Sequence, residues 1–322
     1  MNAIKFGRAA VAIIAAALVP AICMADNERI AVFTKNQTNP FFQYVRLGAD
    51  SAASQLNVKV QHYIPTKPDS IPEQLSQIED VVVKRPDAVV FIPVDNKAMV
   101  PAVQKMNAAG IPVVNVTDRI QGGHIVSFVG ADDYTLGLET GRYLLKSLGG
   151  KGQVVVIEGV KAALSSNNRL RGFRKALEEF PDVKVVASQP GNNQRLHALQ
   201  VMENLLQSHQ KIDGVFAVND AMATGVIEAL DGANRRALVV GINGTKEAIE
   251  AIKAGKLAAT GDYASFLQGC FGVMAAVREL RKQPVPADIT FPPAVIASDN
   301  LKAYDLVADQ LKCPAWDSIV TK

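Results

Sequence analysis

The sequence lacks the motifs that identify the common enzyme classes. None of its 322 residues forms part of a G-x-S-x-G nucleophile motif, a P-loop or a G-x-G-x-x-G segment after a strand pattern. Carboxylates and histidines are present, but none has the spacing that predicts a nucleophile or an acid/base pair. We therefore predict that the protein is not an enzyme and needs no cofactor.

Cysteine and histidine are both scarce. The three cysteines and four histidines include no cluster with the spacing of a metal site, so the sequence predicts no bound metal. Two of the cysteines, Cys270 and Cys313, lie far beyond the N-terminal segment. They could form a disulfide in an oxidising compartment, or Cys270 could be a buried thiol on an apolar helix face with Phe266 and Met274. The sequence leaves both alternatives open.

An excess of charge of one sign is also absent. The formal net charge is +3, and two of the basic residues, Lys5 and Arg8, lie in the first 25 residues, which contain no acidic residue. The rest of the chain carries 32 basic and 31 acidic residues. This balance gives no electrostatic reason to expect nucleic acid or a membrane surface as a partner.

The N-terminus contains the chain's longest uncharged stretch, Ala9–Ala25. It is short for a membrane span, follows two basic residues and ends in a small-x-small pattern, so we predict that residues 1–25 are a secretory signal peptide. A lipid-anchored Cys23 is the alternative, which the bulky Ile22 before it disfavours. We expect a mature chain that begins near Asp26 and is exported to the periplasm.

Short apolar runs alternate with helical patterns along nearly the whole chain. Examples of the runs are "RIAVFT", "DAVVFI", "QVVVIEG" and "ALVVGI". Strands that are apolar almost without interruption are typical of parallel sheets covered by helices on both faces. Four or five βα units in each half predict an α/β fold with two doubly wound parallel-sheet lobes.

Ligands of such sheets bind outside the carboxyl ends of the strands. The residues that follow the predicted strands are mostly polar or charged, a composition that solvated loops share: Thr34-Lys35, Pro93-Val94-Asp95, Thr117-Asp118-Arg119, Glu158-Gly159, Gln189-Pro190, Asn219-Asp220, Asn243-Gly244 and Asp262-Tyr263. The segment "TDRI" is less ordinary, because it places two opposite charges at one strand end. Two phenylalanines after the first strand, in "NPFF", are compatible with the core of the next helix or with the wall of a binding site.

Six segments carry a resemblance to a known family. "NPFF", "TDR", "RLRGF", "FAVND", "VVGINGT" and "KLAAT" occur in the order and spacing found in periplasmic sugar-binding proteins of the ribose-binding type. These proteins are the solute receptors of ABC importers, with the type I periplasmic binding protein fold. The resemblance covers the chain from Arg29 to about Ser298; the tail "LKCPAWDSIVTK" extends past it without an assigned function.

The resemblance implies two lobes joined by a three-strand hinge, with a sugar held between them. We expect the crossovers near Gly130–Asp133, Asp262–Ser265 and Thr290–Ala294. Residues 26–130 and 264–291 would form the N-terminal lobe, and residues 131–263 and 292–322 the C-terminal lobe and tail.

The resemblance also implies a set of ligand-binding residues. A buried sugar needs a partner for nearly every hydroxyl, which amide and charged side chains supply, and aromatic faces cover its apolar sides. By position, the expected ligand-binding residues are Lys35, Asn39, Phe41, Phe42, Asp118, Arg119, Arg169, Asn193, Asn219, Asn243 and Tyr263. We expect Arg171 to face solvent and Asp220 to cap a helix.

Several of these positions depart from the pattern of ribose receptors. Lys35 replaces a small hydroxyl residue, Asn243 a carboxylate, Tyr263 a glutamine and Asn193 an aromatic residue. A ligand other than ribose is therefore expected. If Lys35 faces inward, the cleft would carry an excess of positive charge, which Asp262 could offset; we expect either an anionic sugar derivative or, with preference, a neutral sugar or polyol.

The function implied by the resemblance is capture of a monosaccharide-like ligand, a sugar, polyol or sugar derivative, by a monomer that delivers it to the membrane permease of an ABC importer. The alternative is a binding protein for a sugar acid or furanone-type signal that feeds a chemoreceptor or sensor as well as, or instead of, a transporter. A repressor of the same fold would need an N-terminal helix-turn-helix, where we predict a secretion signal in this chain.

Overall fold

The computed structural model of the protein describes residues 28–305 and 311–320. The predicted signal peptide, residues 1–25, lies outside the described residues, so its processing stays a prediction. Within the described ranges, no helix has both the length and the apolar character that a membrane crossing requires.

Strands and helices alternate along the chain as the apolar runs predict. The strands are β1 (Arg29–Phe33), β2 (Lys59–Tyr63), β3 (Ala88–Phe91), β4 (Val113–Val116), β5 (Ser127–Ala131), β6 (Lys151–Glu158), β7 (Asp182–Pro190), β8 (Gly214–Ala217), β9 (Leu238–Asn243), β10 (Ala259–Asp262), β11 (Asp288–Phe291) and β12 (Ala294–Ala297). The helices are α1 (Pro40–Leu56), α2 (Ile71–Lys84), α3 (Val100–Ala108), α4 (Asp133–Ser147), α5 (Leu164–Leu177), α6 (Arg195–Ser208), α7 (Asp220–Gly232), α8 (Lys246–Lys253) and α9 (Ser265–Leu280).

The strands form two six-stranded sheets. The first has the order β11-β5-β4-β3-β1-β2 and is parallel throughout. The second has the order β12-β10-β9-β8-β6-β7 and is parallel except for the β10–β12 pair. Both sheets are doubly wound, because the chain starts at an inner strand of each, β1 or β6, and the strand order reverses there. The predicted α/β fold with two parallel-sheet lobes is confirmed.

Burial explains why the central strands are apolar without interruption. All four residues of β3 are buried, and so are those of β8, because helices cover both faces of each sheet. Helices α1 and α9 pack together on the first sheet at Gly48 and Gly269. A Cβ at either glycine would overlap a backbone oxygen of the opposite helix, so this close approach requires residues without a side chain.

The chain passes between the two sheets three times. It crosses from β5 to α4, from β10 to α9 and from β11 to β12. The three passages coincide with the three expected crossovers. The lobe boundaries, and the movement of the lobes about these passages, stay predictions.

The C-terminal tail lies across α1 and α9. Cys313 forms a disulfide with Cys270 of α9, so of the two alternatives left by the sequence, the structure contains the disulfide. Gln55 Nε2 donates a hydrogen bond to the Cys313 carbonyl at 3.3 Å. The Trp316 ring lies 5.6 Å from the Phe271 ring and 4.6 Å from the guanidinium of Arg278. The tail is thus attached to the first lobe although it follows β12 of the second sheet.

Candidate ligand-binding site

A cavity lies between the two lobes, at the carboxyl ends of the strands of both sheets. Ten of the eleven predicted site residues line it, all except Arg119. The full lining is Lys35, Asn36, Asn39, Phe41, Phe42, Asp69, Thr117, Asp118, Ser165, Ser166, Arg169, Asn193, Asn219, Asn243 and Tyr263. A larger hollow lies beside the hinge, next to Tyr44, Ile249 and Phe266, but no residue at a strand end of the first sheet lines it. Polar groups from both lobes converge in the interlobe cavity, which makes it the better candidate for a ligand site.

The start of α1 builds the aromatic wall of the cavity. Asn39 caps the helix by accepting a hydrogen bond from the Phe41 N–H at 3.0 Å, and its own N–H donates to Asn36 Oδ1 at 2.9 Å. The Phe41 and Phe42 rings pack edge to face at 5.2 Å, and Phe41 lies 5.3 Å from the Tyr263 ring. Both phenylalanines are core residues and also line the cavity; their contact with a ligand stays a prediction.

Lys35 faces inward and pairs with Asp118. Its Nζ lies 2.5 Å from Asp118 Oδ2, and the side chains are 8% and 4% exposed. Asp118 Oδ1 also accepts from the N–H of Ser165, in the first turn of α5 on the opposite lobe, at 3.3 Å. Burial raises the pKa of the Asp118 carboxyl, but the Lys35 ammonium and the hydrogen bonds outweigh it and hold the pKa below its ordinary value. Asp118 therefore remains an ionised acceptor that connects the two lobes.

Arg169 is buried at the other end of the cavity. Its Nε lies 2.8 Å from Asp133 Oδ1, and its Nη1 donates to the Val218 carbonyl at 2.9 Å and to Asn243 Oδ1 at 3.0 Å. Its guanidinium lies 4.3 Å from the centre of the Tyr263 ring. These contacts hold the planar guanidinium in one orientation beside the cavity.

Tyr263 ties the same end of the cavity to the hinge. Its hydroxyl lies 2.9 Å from Asp133 Oδ2 and 3.1 Å from the Thr117 carbonyl oxygen. Burial raises the pKa of Asp133 to about 6, against the lowering effect of Arg169, and burial also raises the pKa of Tyr263. The tyrosine is therefore neutral at neutral pH and available as a hydrogen-bond donor to Asp133.

Amide side chains line the wall that the second lobe contributes. Asn219 accepts from the Met222 N–H at 2.8 Å, and its amide nitrogen lies 3.3 Å from Asn193 Oδ1. Ser166 Oγ lies 3.3 Å from the same Asn193 oxygen. This wall offers both donors and acceptors, the combination that a hydroxyl group requires.

The helix cap expected at Asp220 is wrong. Asn219 caps α7 instead, and the Asp220 carboxylate is buried, accepting from the Thr245 N–H at 2.9 Å and from Thr260 Oγ1 at 2.6 Å. Burial raises the pKa of Asp220 to about 6. Asp220 thus joins the loop after β9 to β10 beneath the site.

The placement of Arg119 in the site is corrected by the structure. Its side chain is 46% exposed, pairs with Asp288 and lies 4.0 Å from the centre of the Phe128 ring. The chain turns sharply after β4, where Thr117 has φ +67°, so Asp118 faces the cavity and Arg119 faces away from it. Arg171 is exposed, as expected.

The expected excess of positive charge in the cleft is also wrong. Arg119 lies outside, Lys35 is paired with Asp118, and Arg169 is paired with Asp133, which the sequence interpretation did not include. Asp262 does not face the cavity: it accepts from the Ala264 N–H at 2.8 Å and lines the hollow beside the hinge. Both cations at the cavity are therefore neutralised by buried carboxylates.

Five lining residues were missed by sequence reasoning: Asn36, Asp69, Thr117, Ser165 and Ser166. Thr117 was available from the strand-end rule, since it directly follows β4. The two serines lie in the first turn of α5, upstream of Arg169 on the same helix, so the start of that helix was a signal. Asp69 lies six residues after the end of the edge strand β2, whereas the strand-end rule applies to residues that directly follow a strand.

Backbone strain is concentrated at the cavity. Of the ten non-glycine residues with positive φ in the described ranges, four line it: Asp69 (+56°), Thr117 (+67°), Asn193 (+59°) and Asn243 (+151°). A β-branched threonine in this region is a genuine outlier. Strain of this kind persists where the surroundings hold it and is common at ligand sites.

Comparison with known proteins identifies the family of this chain. Residues 30–284 match the family described as periplasmic binding protein domain. The ribose import binding protein of Haemophilus influenzae is 32% identical over 262 residues, which make up 81% of this chain and 89% of the relative.

Two solved structures with bound ligands are similar to most of this chain. A periplasmic solute-binding protein of an ABC transporter from Actinobacillus succinogenes, with bound D-allose, has a TM-score of 0.83 at 31% identity, covering 86% of this chain and 100% of that chain. The Caulobacter myo-inositol binding protein, bound to myo-inositol, has a TM-score of 0.81 at 29% identity, covering 87% and 96%.

Proposed function

The chain belongs to the periplasmic binding protein family, and from that premise we propose that it captures a neutral monosaccharide or polyol between its lobes for an ABC importer. It is a solute-binding protein and not an enzyme, as its relatives are. We further propose that it acts in the periplasm as a monomer, and that the permease of the importer receives the ligand from it.

One observation carries this proposal: both lobes contribute hydrogen-bonding side chains to one cavity that also has an aromatic wall. Asp118 and Asn39 belong to the first lobe, and Arg169 and Asn219 to the second. A ring of hydroxyls needs donors and acceptors on all sides, and its C–H faces pack on rings such as Phe41. The cavity offers both.

Charge pairing supports a neutral ligand. An anionic ligand would need a cation without a partner, whereas Lys35 and Arg169 each lie within 2.8 Å of a buried carboxylate oxygen. Bringing a further carboxylate to these pairs would place like charges close together in a poorly solvated site. This weighs against the alternative of a sugar acid.

The ligands named for the similar proteins are a pentose, a hexose and a cyclitol, all of them neutral polyhydroxy compounds. Since Lys35, Asn193, Asn243 and Tyr263 depart from the ribose pattern, we propose a ligand other than ribose within this class. By contacting both lobes, such a ligand would favour the closed arrangement over an open one.

A thermal-shift panel tests the proposal. The chain without residues 1–25 would be heated with D-ribose, D-allose, xylitol and myo-inositol, and with D-glucuronate and D-galacturonate as anionic probes. A compound that binds the native state stabilises it by RT ln(1 + [L]/Kd), about 4 kcal/mol at 1,000 Kd. We expect a neutral compound to raise Tm most. A larger rise with a sugar acid, or none with any neutral compound, would contradict the proposal.

A further inference from the structure

Asp69 enters the cavity from a part of the chain that sequence patterns did not connect with the site. It is the residue before Ser70, the N-cap of α2, in the loop that follows the edge strand β2. Its N–H donates to the Lys35 carbonyl at 3.1 Å, which fixes the loop against the first strand end. Its backbone has φ +56°, and its side chain lines the cavity.

The Asp69 carboxylate is half-buried, and its partners differ from those of the buried carboxylates at this site. Asp118 and Asp133 are each paired with a cation, at 2.5 and 2.8 Å. Among the described residues, the side-chain partner of Asp69 is the amide nitrogen of Asn36 at 3.4 Å, and no Lys, Arg or His forms an ion pair with it. Burial raises its pKa, with an opposing effect of Lys35 and a further rise from Asp118.

An ionised carboxylate has about four lone-pair directions for hydrogen bonds. One long contact, with Asn36, leaves most of this capacity available to hydrogen-bond donors in the cavity that Asp69 lines. The Asp69 carboxylate would therefore bind ligand groups that donate hydrogen bonds, and it would repel ligand groups that carry negative charge.

We propose that Asp69 is a specificity-determining residue that accepts hydrogen bonds from hydroxyls of the bound sugar or polyol and excludes carboxylate-bearing analogues. This inference rests on the proposed function and adds to it the residue that separates neutral from acidic ligands. It also assigns a role to the negative charge of Asp69, which is not part of the Lys35–Asp118 or Arg169–Asp133 ion pairs.

A purely structural role for Asp69 has a different consequence. The contact with Asn36 continues through Asn36 Oδ1 to the N–H of Asn39, the residue that caps α1 beside Phe41. Asp69→Asn retains an acceptor oxygen for Asn36, and asparagine tolerates the left-handed backbone as well as aspartate does. The variant therefore removes the charge and preserves the positioning, whereas Asp69→Ala removes both.

Titration calorimetry with D-ribose, D-allose, xylitol, myo-inositol, D-glucuronate and D-galacturonate tests the inference on the chain without residues 1–25. For the neutral probe that binds wild type best, Asp69→Asn should weaken binding roughly tenfold or more, as expected for loss of hydrogen bonds to a charged group. The preference for that probe over the acids should fall by a similar factor. The control Asp182→Asn removes the same charge from an exposed position on β7 and should leave both quantities unchanged.

The outcomes separate the inference from the proposed function. If wild type binds none of the neutral probes, the proposed function fails and the inference with it. If wild type binds a neutral probe and Asp69→Asn binds it within twofold, with the preference over acids unchanged, the inference alone is overturned. Weak binding by Asp69→Ala together with wild-type binding by Asp69→Asn would show that Asp69 acts by positioning Asn36. Should Asp69→Asn not fold, Asp69→Ser, with a short hydroxyl side chain, replaces it under the same criteria.

Discussion

The Lys35 ammonium lies 2.5 Å from the Asp118 carboxylate, and both side chains are more than nine-tenths buried. Lys35 follows β1 and Asp118 follows β4, so the pair joins two strand ends that are separated by β3 in the sheet. A buried charge that loses its partner is strongly unfavourable, even where the pair itself adds little net stability.

Lys35→Met is therefore expected to reduce the free energy of unfolding by about 3 kcal/mol or more, because Asp118 would remain buried without its cation. It should also weaken binding of the probe identified by thermal shift, by at least ~1.5 kcal/mol if Lys35 donates to it. Urea unfolding and calorimetry measure the two effects. Adding Asp118→Asn should recover part of the stability.

A matched control is Lys105→Met, which breaks the exposed pair between Lys105 and Glu79 and should change stability little. Equal losses in the two lysine variants would contradict the assignment of Lys35 to a buried pair.

The raised pKa of Asp220 predicts that the stability of the fold depends on pH. Its pKa of about 6 in the folded protein lies above the ordinary value of 3.8, because the carboxyl is buried. Between these values the folded state binds more protons than the unfolded state, so this group's contribution to stability increases as pH falls from 7 toward 4.

For Asp220 the increase between pH 7 and pH 5 should be about 1 kcal/mol. Asp220→Asn, which cannot titrate, should lack it. The measurement is the difference in unfolding free energy between wild type and variant at the two pH values. A difference independent of pH, or one of the opposite sign, would show that the carboxyl is ionised in the folded protein at pH 5.

The elements of the fold were predictable because each depends on a local pattern. The parallel sheets follow from strands such as β3 and β8, which are apolar at every position because both of their faces are covered. The strand-end rule places Lys35 and Asp118 at the carboxyl ends of the first sheet's strands, and Asn219 at those of the second sheet.

The site residues that were misplaced or missed depend on tertiary contacts, which no local sequence pattern indicates. Arg119 leaves the site because Thr117 adopts a left-handed backbone, and a sequence does not state on which side of such a turn the next side chain falls. The partner of Arg169 is Asp133, 36 residues earlier, and the pair forms only because α4 and α5 pack closely. Asp69 reaches the cavity through the path of one loop.

Ligand binding is predicted to make the molecule more compact. In the described structure the lobes are in contact across the cavity, with Ser165 of one lobe donating to Asp118 of the other and Phe41 packed near Tyr263. Small-angle scattering with and without the probe identified by thermal shift should show a smaller radius of gyration in its presence. An unchanged radius with tight binding would indicate a site that one lobe completes by itself.

The disulfide is predicted to stabilise the fold without affecting the site. Cys270 and Cys313 are separated by 43 residues. In the chain-entropy account, closing a loop of this length lowers the entropy of the unfolded chain and raises its free energy by about 4 kcal/mol. Replacing both cysteines by serine should lower the free energy of unfolding by up to about that amount, measured in urea. Affinity for the identified probe should remain, because neither cysteine lines the cavity. A loss of affinity would mean that the tail influences the site through α9.

Arg119 and Asn219 give the most direct comparison between family resemblance and structure. The resemblance assigns both to the ligand, whereas in the structure Arg119 pairs with Asp288 outside the cavity and Asn219 lines it. Arg119→Ala should therefore bind the identified probe within about twofold of wild type, since an exposed ion pair contributes little. Asn219→Asp, which keeps an oxygen to cap α7 and loses the amide donor, should weaken binding roughly tenfold, because a buried hydroxyl of the probe would lose its partner. Calorimetry on both variants decides between the two assignments. A large loss of affinity in Arg119→Ala would mean that the arginine turns inward when the probe binds, and that the family pattern predicts its role better than its position beside Asp288 does.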